Sequence, residues 1–175
     1  MSSYIFSSAK IQNAAQIAAL VNMTYRGDSS RLGWTSEADL LEGLRTDSDD
    51  IARLINSRDA VIVTATAANQ LLGSILIQYT DQSAELGMFS VLPSHQNQGI
   101  GNLLLQYAEQ FSTQTWPVQR FLIAVIPCRH ELIAYYQRRG YRLNGETHPF
   151  PVNPKLWIPK VDNLTLAYME KTVNA

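Results

Sequence analysis

Gln96-Asn97-Gln98-Gly99-Ile100-Gly101 lies between the apolar run Leu86-Gly87-Met88-Phe89-Ser90-Val91-Leu92 and the amphipathic run from Asn102 to Phe111. That order reads as strand, tight glycine-rich loop and helix. A loop of this kind points several backbone N–H groups at one spot. The helix behind it adds its own unpaired N–H groups and a partial positive charge, which makes the spot an anion site. Glycine at 99 and 101 lets the backbone approach a bulky anion with no Cβ in the way. The chemistry is that of a phosphate or pyrophosphate cradle. It is not a dinucleotide fingerprint, because the third glycine is replaced by Leu104 and the loop lies past mid-chain. Nor is it a P-loop, because Gly101 is followed by Asn102 rather than lysine.

Further on, Glu131-Leu132-Ile133-Ala134-Tyr135-Tyr136-Gln137-Arg138-Arg139-Gly140-Tyr141 reads as a helix ended by a left-handed glycine and followed by a new strand. Between the two segments, Arg120-Phe121-Leu122-Ile123-Ala124-Val125-Ile126 suits a buried strand. With these neighbours, the hexapeptide resembles the Gln/Arg-x-x-Gly-x-Gly/Ala motif of the GNAT superfamily of N-acetyltransferases. Tyr136-x-x-x-Gly140-Tyr141 resembles that superfamily's Tyr-x-x-x-Gly-Phe signature. The resemblance is strong over residues 84–146 and topological elsewhere, and it looks like that of a small bacterial-type member.

Bulk properties are those of a small enzyme. The 175 residues suit a single domain, 1–175, able to bury one core. A formal charge of −1 with interspersed signs gives no electrostatic footprint for nucleic acid or an anionic membrane. No apolar run reaches membrane-spanning length, and Met1-Ser2-Ser3-Tyr4 lacks a secretory pattern, so a cytoplasmic location is expected. The one cysteine, Cys128, excludes an internal disulfide and is expected to be a buried spacer. His130 and His148 have no metal-ligand company, so no metal site is expected, and His95 reads as an exposed loop residue beside the glycine loop, a phosphate contact being its alternative.

Along the chain, residues 13–25 carry apolar side chains at helical spacing, and 26–35 read as a loop. Ser36 and Asp39 form a capping-box pattern that predicts a second helix to about Arg45. Asp47-Ser48-Asp49-Asp50 reads as the acidic start of another helix. Residues 60–65 and 71–79 read as a hairpin, and 163–169 as a last strand. The fold class is α/β with a mixed sheet. By the resemblance, that sheet is strongly twisted and flanked by helices, with parallel central strands, about 84–92 and 120–126, that splay to leave a slot.

The resemblance also implies the chemistry. Acetyl-CoA would be the cosubstrate, its pantetheine lying along the backbone of Met88, Phe89, Ser90 and Val91. Its pyrophosphate would sit on Gln96, Gln98, Gly99, Ile100, Gly101 and Asn102. The Phe89 N–H would hold the thioester oxyanion, although by itself it reads as an ordinary sheet donor. Glu85 would deprotonate the attacking amine; read alone, it is a strand-end charge facing solvent. Tyr136 would protonate the departing thiolate; read alone, it shares a packed face with Leu132. Tyr135 is expected to point elsewhere. Arg129 stands where many relatives have an asparagine on the pantetheine amide. It cannot accept a hydrogen bond and is left to a coenzyme phosphate or a carboxylate such as Glu131.

The acceptor would approach between Arg26, Asp28, Arg31, Trp34 and Glu37 on one side and the proline- and aromatic-rich stretch 147–159 on the other. It would be a primary amine of a small molecule or peptide, and a homodimer stays open as the assembly state. Two rivals stand beside this reading. One is an acyl-CoA-sensing module without catalysis, which the pairing of Glu85 with Tyr136 disfavours. The other is a nucleotide-binding protein, which the failed fingerprints disfavour.

Overall fold

The computed structural model describes residues 4–173. In chain order the elements are β1 (Ile5–Ser8), α1 (Ala14–Tyr25), α2 (Gly27–Ser30), β2 (Leu41–Gly43), α3 (Ser48–Ile55), β3 (Ala60–Ala67), β4 (Gln70–Thr80) and β5 (Ser83–Val91). Then follow α4 (Ile100–Thr115), β6 (Arg120–Val125), α5 (His130–Gln137), β7 (Arg142–Pro149), β8 (Trp157–Pro159) and β9 (Thr165–Thr172). Seven strands form one mixed sheet in the order β1-β3-β4-β5-β6-β9-β7, and β2 pairs with β8 apart from it. The parallel pair is β5–β6, joined by the crossover through α4. No helix among the described residues is long and apolar enough to cross a membrane.

Period-2 alternation distributes the core to both faces of the sheet. Val63, Ile75, Ile77 and Leu86 pack with Leu104, Leu105 and Ala108 of α4. Ile62 and Leu76, one residue out of phase, pack with Ile17 and Val21 of α1 and Ile51 and Leu54 of α3. The β3–β4 hairpin turns on Ala68 and Asn69, both with positive φ (47° and 63°), the handedness that matches strand twist. Helix α3 starts where expected, with the Asp47 side chain accepting the Asp50 N–H at 2.8 Å.

The helix predicted over 36–45 does not form. The Ser36 hydroxyl takes the Ala38 N–H at 3.0 Å, and the Glu37 carbonyl closes a single turn with the Leu40 and Leu41 N–H groups. The chain then enters β2, whose partner is Trp157–Pro159. Gly43 enforces the change: its φ is +98°, and a Cβ there would meet the Leu156 carbonyl oxygen at 2.2 Å. The pattern of a cap is local, whereas β2 is held by a distant strand, and tertiary pairing wins over propensity. The loop expected over 26–35 contains the one-turn α2.

Candidate active site

Strands β5 and β6 are paired only at Ser83–Arg120, Ala84–Phe121 and Glu85–Leu122. Beyond Glu85 they part, and the gap between them is the slot. A bulge shapes its wall. β5 pairs with β4 at Leu76–Gly87 and again at Ser74–Ser90, so Met88 and Phe89 have no register partner on either neighbour. Met88 adopts φ +43°. The bulge also reverses the facing of the strand. Before it, Ala84 and Leu86 belong to the α4 side; after it, Phe89 and Val91 do, while Met88 joins the α1 side.

Two cavities open on this slot. The first, about 340 Å³, is lined by Val91, Gly99, Gly101, Asn102, Tyr135 and Arg139 among others. The second, about 260 Å³, is lined by Glu85, Met88, Arg45, Phe150, Trp157 and Tyr168 among others. Phe89, Arg129 and Tyr136 line both.

In the first cavity, Gly99 caps α4 with φ +83°, and a Cβ on Gly101 would meet the Tyr135 hydroxyl at 3.2 Å. Asn102 lies at the rim, its Oδ1 accepting from Arg139 Nε at 3.1 Å. Ile100 sends its side chain into the core, 1 % exposed, leaving only its backbone for the loop. The Gln98 side chain is exposed and donates to the Ser94 carbonyl at 3.3 Å. Gln96 braces the loop from both sides: Nε2 donates to the Val91 carbonyl (2.9 Å), and Oε1 accepts the Trp34 N–H (3.0 Å).

Tyr135 does not point elsewhere. Its ring lies in the first cavity against Trp34 (centroids 5.6 Å apart) and under the Arg139 guanidinium (3.5 Å). Arg138 and Arg139, outside the expected site residues, both line this cavity and supply positive charge beside the glycine loop. The dipeptide inside the Tyr136-x-x-x-Gly140 spacing is the sequence signal for them.

Tyr136 is 4 % exposed, and its hydroxyl makes no hydrogen bond among the described residues. Burial, reinforced by the neighbouring Tyr25 and Tyr135, raises its phenol well above the ordinary range, so it is protonated at neutral pH. Glu85 is half-buried on the α1 side of β5, and burial alone pushes its carboxyl up. Ser90 is buried and accepts from the Thr24 hydroxyl at 3.0 Å. The Phe89 carbonyl accepts from the Tyr25 hydroxyl at 3.3 Å.

Arg129 meets a carboxylate other than Glu131. Its Nη1 donates to Glu37 (2.8 Å) and its Nη2 to the Thr35 hydroxyl (2.8 Å), while Glu131 takes the Thr35 hydroxyl proton at 2.6 Å. Glu37 also accepts from Arg26, so two guanidinium groups share one buried carboxylate. Of the expected acceptor wall, Arg26, Glu37 and Trp34 line a cavity, whereas Arg31 pairs with Asp28 and Asp39 on the surface. Cys128 is exposed rather than buried, lying in the turn after β6. No group of three or more metal-ligating side chains occurs among the described residues.

The model of the acetyltransferase (GNAT) family matches residues 28–141. Among solved structures, a ribosomal-protein-alanine N-acetyltransferase from Brucella melitensis superposes with a TM-score of 0.72 at 16 % identity, over 97 % of this chain and 99 % of that one. A GNAT-family acetyltransferase from Streptococcus pneumoniae gives 0.68 at 16 %, over 98 % and 100 %. A GNAT-family acetyltransferase from Elizabethkingia anophelis with acetyl-CoA bound gives 0.54 at 17 %, over 66 % and 77 %. At these identities the likeness is one of fold. Comparison with curated protein sequences finds no match.

Proposed function

Because the chain belongs to the acetyltransferase (GNAT) family, we propose that it transfers an acetyl group from acetyl-CoA to a primary amine by direct attack on the thioester. One observation carries the reading: the two cavities meet at Phe89 and Tyr136. A coenzyme in the first and an amine in the second would bring their reacting atoms together there, which lowers the entropic part of the barrier.

Acetyl-CoA would supply the activated acyl group as a thioester. Its pyrophosphate would be held by the backbone N–H groups from Gln98 to Asn102, with Arg138 and Arg139 adding charge-assisted contacts. Phe89, released from the ladder by the bulge, would direct its N–H at the oxyanion, a contribution of about 3 kcal/mol for a preset donor. Glu85 would take the proton of the ammonium, a task suited to a carboxyl whose proton affinity burial has raised. Tyr136, protonated and with no competing hydrogen bond among the described residues, would give its proton to the thiolate.

Calorimetric titration with acetyl-CoA, with CoA and ATP as controls, tests the binding half. Micromolar binding of acetyl-CoA with ATP silent is expected, and thiol release in the presence of amines then reads the transfer. Absence of binding by both acetyl-CoA and CoA overturns the proposal.

A further inference from the structure

The second cavity is charged, and its charges do not cancel. Arg26 (4 % exposed) and Arg129 (7 %) converge on the single carboxylate of Glu37 (6 %). Arg26 Nε and Nη2 and Arg129 Nε are shut from solvent with no hydrogen-bond partner. Burial pulls the Arg26 guanidinium below its ordinary range, Glu37 opposes, and the nearby Arg45 adds a like charge that pulls down again. Arg45 itself lies between the rings of Tyr25 and Trp157, 5.9 Å from each centroid, on the wall of the cavity. It forms no ion pair among the described residues. Three guanidinium groups therefore face this space against one paired carboxylate. Burying such an excess of positive charge is costly unless an anion joins it.

Elsewhere in the same cavity the situation is reversed. Glu85 forms no ion pair among the described residues, and burial raises its carboxyl. The cavity thus offers a carboxylate without a cation and a guanidinium without an anion. The geometry points to an acceptor that supplies both complements, a small primary amine that also carries a carboxylate, held with its anion on Arg45 and its ammonium toward Glu85.

This inference rests on the N-acetyltransferase reading and narrows its substrate class. A polyamine or a neutral amine leaves Arg45 and the Arg26–Glu37–Arg129 cluster uncompensated, and a second cation against them is repelled. The rings of Tyr25 and Trp157 flank the Arg45 guanidinium at 5.9 Å, and the planar fork of an arginine matches the two oxygens of a carboxylate. At about 260 Å³ the cavity falls below the ~300–1,000 Å³ typical of drug-sized sites, so its occupant is of amino-acid size. In the transfer, the amine nitrogen bonds the acetyl carbon and the C–S bond breaks with its electron pair on sulfur. The nitrogen sheds two protons: one leaves the ammonium for solvent through Glu85, and the second, lost after attack, balances the proton that Tyr136 gives the sulfur to form free thiol.

The test is acetyl-CoA-dependent thiol release with free amino acids, each beside its C-terminal amide and its decarboxylated amine. At least one amino acid is expected to exceed both counterparts in kcat/KM by roughly tenfold to a hundredfold, the worth of one charge-assisted contact. Arg45→Gln is expected to erase that ratio mainly through KM, with acetyl-CoA binding by calorimetry unchanged as the check on folding. Arg45→Lys should restore part of it. Amides or decarboxylated amines turning over as well as the acids overturns the inference while leaving the acetyltransferase reading intact. So does acetyl-CoA binding with no amino acid acetylated, or a ratio that survives Arg45→Gln. Failure to bind acetyl-CoA at all defeats the parent reading and this one with it.

Discussion

The Tyr25 hydroxyl donates to the carbonyl of Phe89 at 3.3 Å, tying the last turn of α1 to the bulge of β5. The bulged residues have no register partner on β4 or β6, and this side-chain bond restrains the Phe89 backbone. Tyr25→Phe keeps the ring, and with it the wall beside Arg45, but removes the bond. It is expected to cost about 1 kcal/mol of stability. A drop in kcat of roughly tenfold should accompany it, since a misplaced oxyanion donor loses part of its ~3 kcal/mol. Denaturant melts and steady-state kinetics on one preparation check both. An unchanged kcat would separate the bulge from catalysis.

Tyr136 offers a cleaner separation of stability from chemistry. Its hydroxyl has no partner among the described residues, while its ring packs edge-on to Tyr135 and Tyr141. Tyr136→Phe therefore preserves packing and removes only the hydroxyl, the proton donor of the proposed mechanism. Melting temperature and acetyl-CoA affinity should stay near wild type, and kcat should fall about a hundredfold, a typical loss for a general acid. Equal turnover would strip the residue of its assigned role.

Glu37 holds the opposite balance, with structure depending on charge. Glu37→Gln is nearly isosteric but leaves Arg26 and Arg129 facing each other without an anion. Breaking a buried pair in this way costs about 3–5 kcal/mol. The denaturation midpoint is expected to shift down accordingly. High chloride should recover part of the loss by offering the cluster a counter-ion, and a midpoint matching wild type would show that the guanidinium groups find water instead.

What could be read from the chain was local. The loop glycine Gly99 at the start of α4, the left-handed Gly140 after Tyr136 and the Asp47 cap each lie within a few residues of the partners that give them meaning, and each has the expected backbone role. Contacts between distant segments were not legible. Arg26, Glu37 and Arg129 come from three separate connecting segments, and nothing near Arg129 marks its partner. The bulge carries no glycine signal, because the positive φ falls on Met88 and not on Gly87. Ser36 and Asp39 misled for the same reason: a capping pattern announces a local turn, but Leu41–Gly43 answers to Trp157–Pro159. Tyr135 and Tyr136 are adjacent, and helical geometry alone did not show that the cavity is wide enough to reach both.

Gly99 combines conformational and electrostatic demands. Its φ of +83° suits glycine, while the space a Cβ would enter is open within 4 Å. Gly99→Ala should thus cost about 1–2 kcal/mol of backbone strain and weaken coenzyme binding only modestly. Gly99→Glu adds bulk and a negative charge at the cradle, where the helix N-terminus and the adjoining arginines favour an anionic ligand. Its acetyl-CoA binding is expected to vanish in calorimetry. Retained binding in Gly99→Glu, with the alanine variant folded, would move the pyrophosphate elsewhere.

Glu85 ties activity and stability to pH with opposite signs. Burial raises its folded carboxyl above the unfolded value, so the folded state binds the extra proton in the interval between the two. Stability contributed by this group is therefore present below the unfolded value and declines as pH rises toward and through the folded one. On the proposed mechanism activity runs the other way, because only an ionised Glu85 can accept the proton of the amine. kcat/KM should climb with pH along a limb set above the ordinary carboxylate range. Glu85→Gln should flatten that limb and lower turnover, yet melt at a higher temperature than wild type at neutral pH, since it no longer buries a charge. Thermal melts at acidic pH, where wild-type Glu85 is itself protonated, should bring the two proteins together. A variant that loses activity but keeps the wild-type melting temperature at every pH would mean that the carboxylate is solvated in place, and that its task as base needs no raised proton affinity.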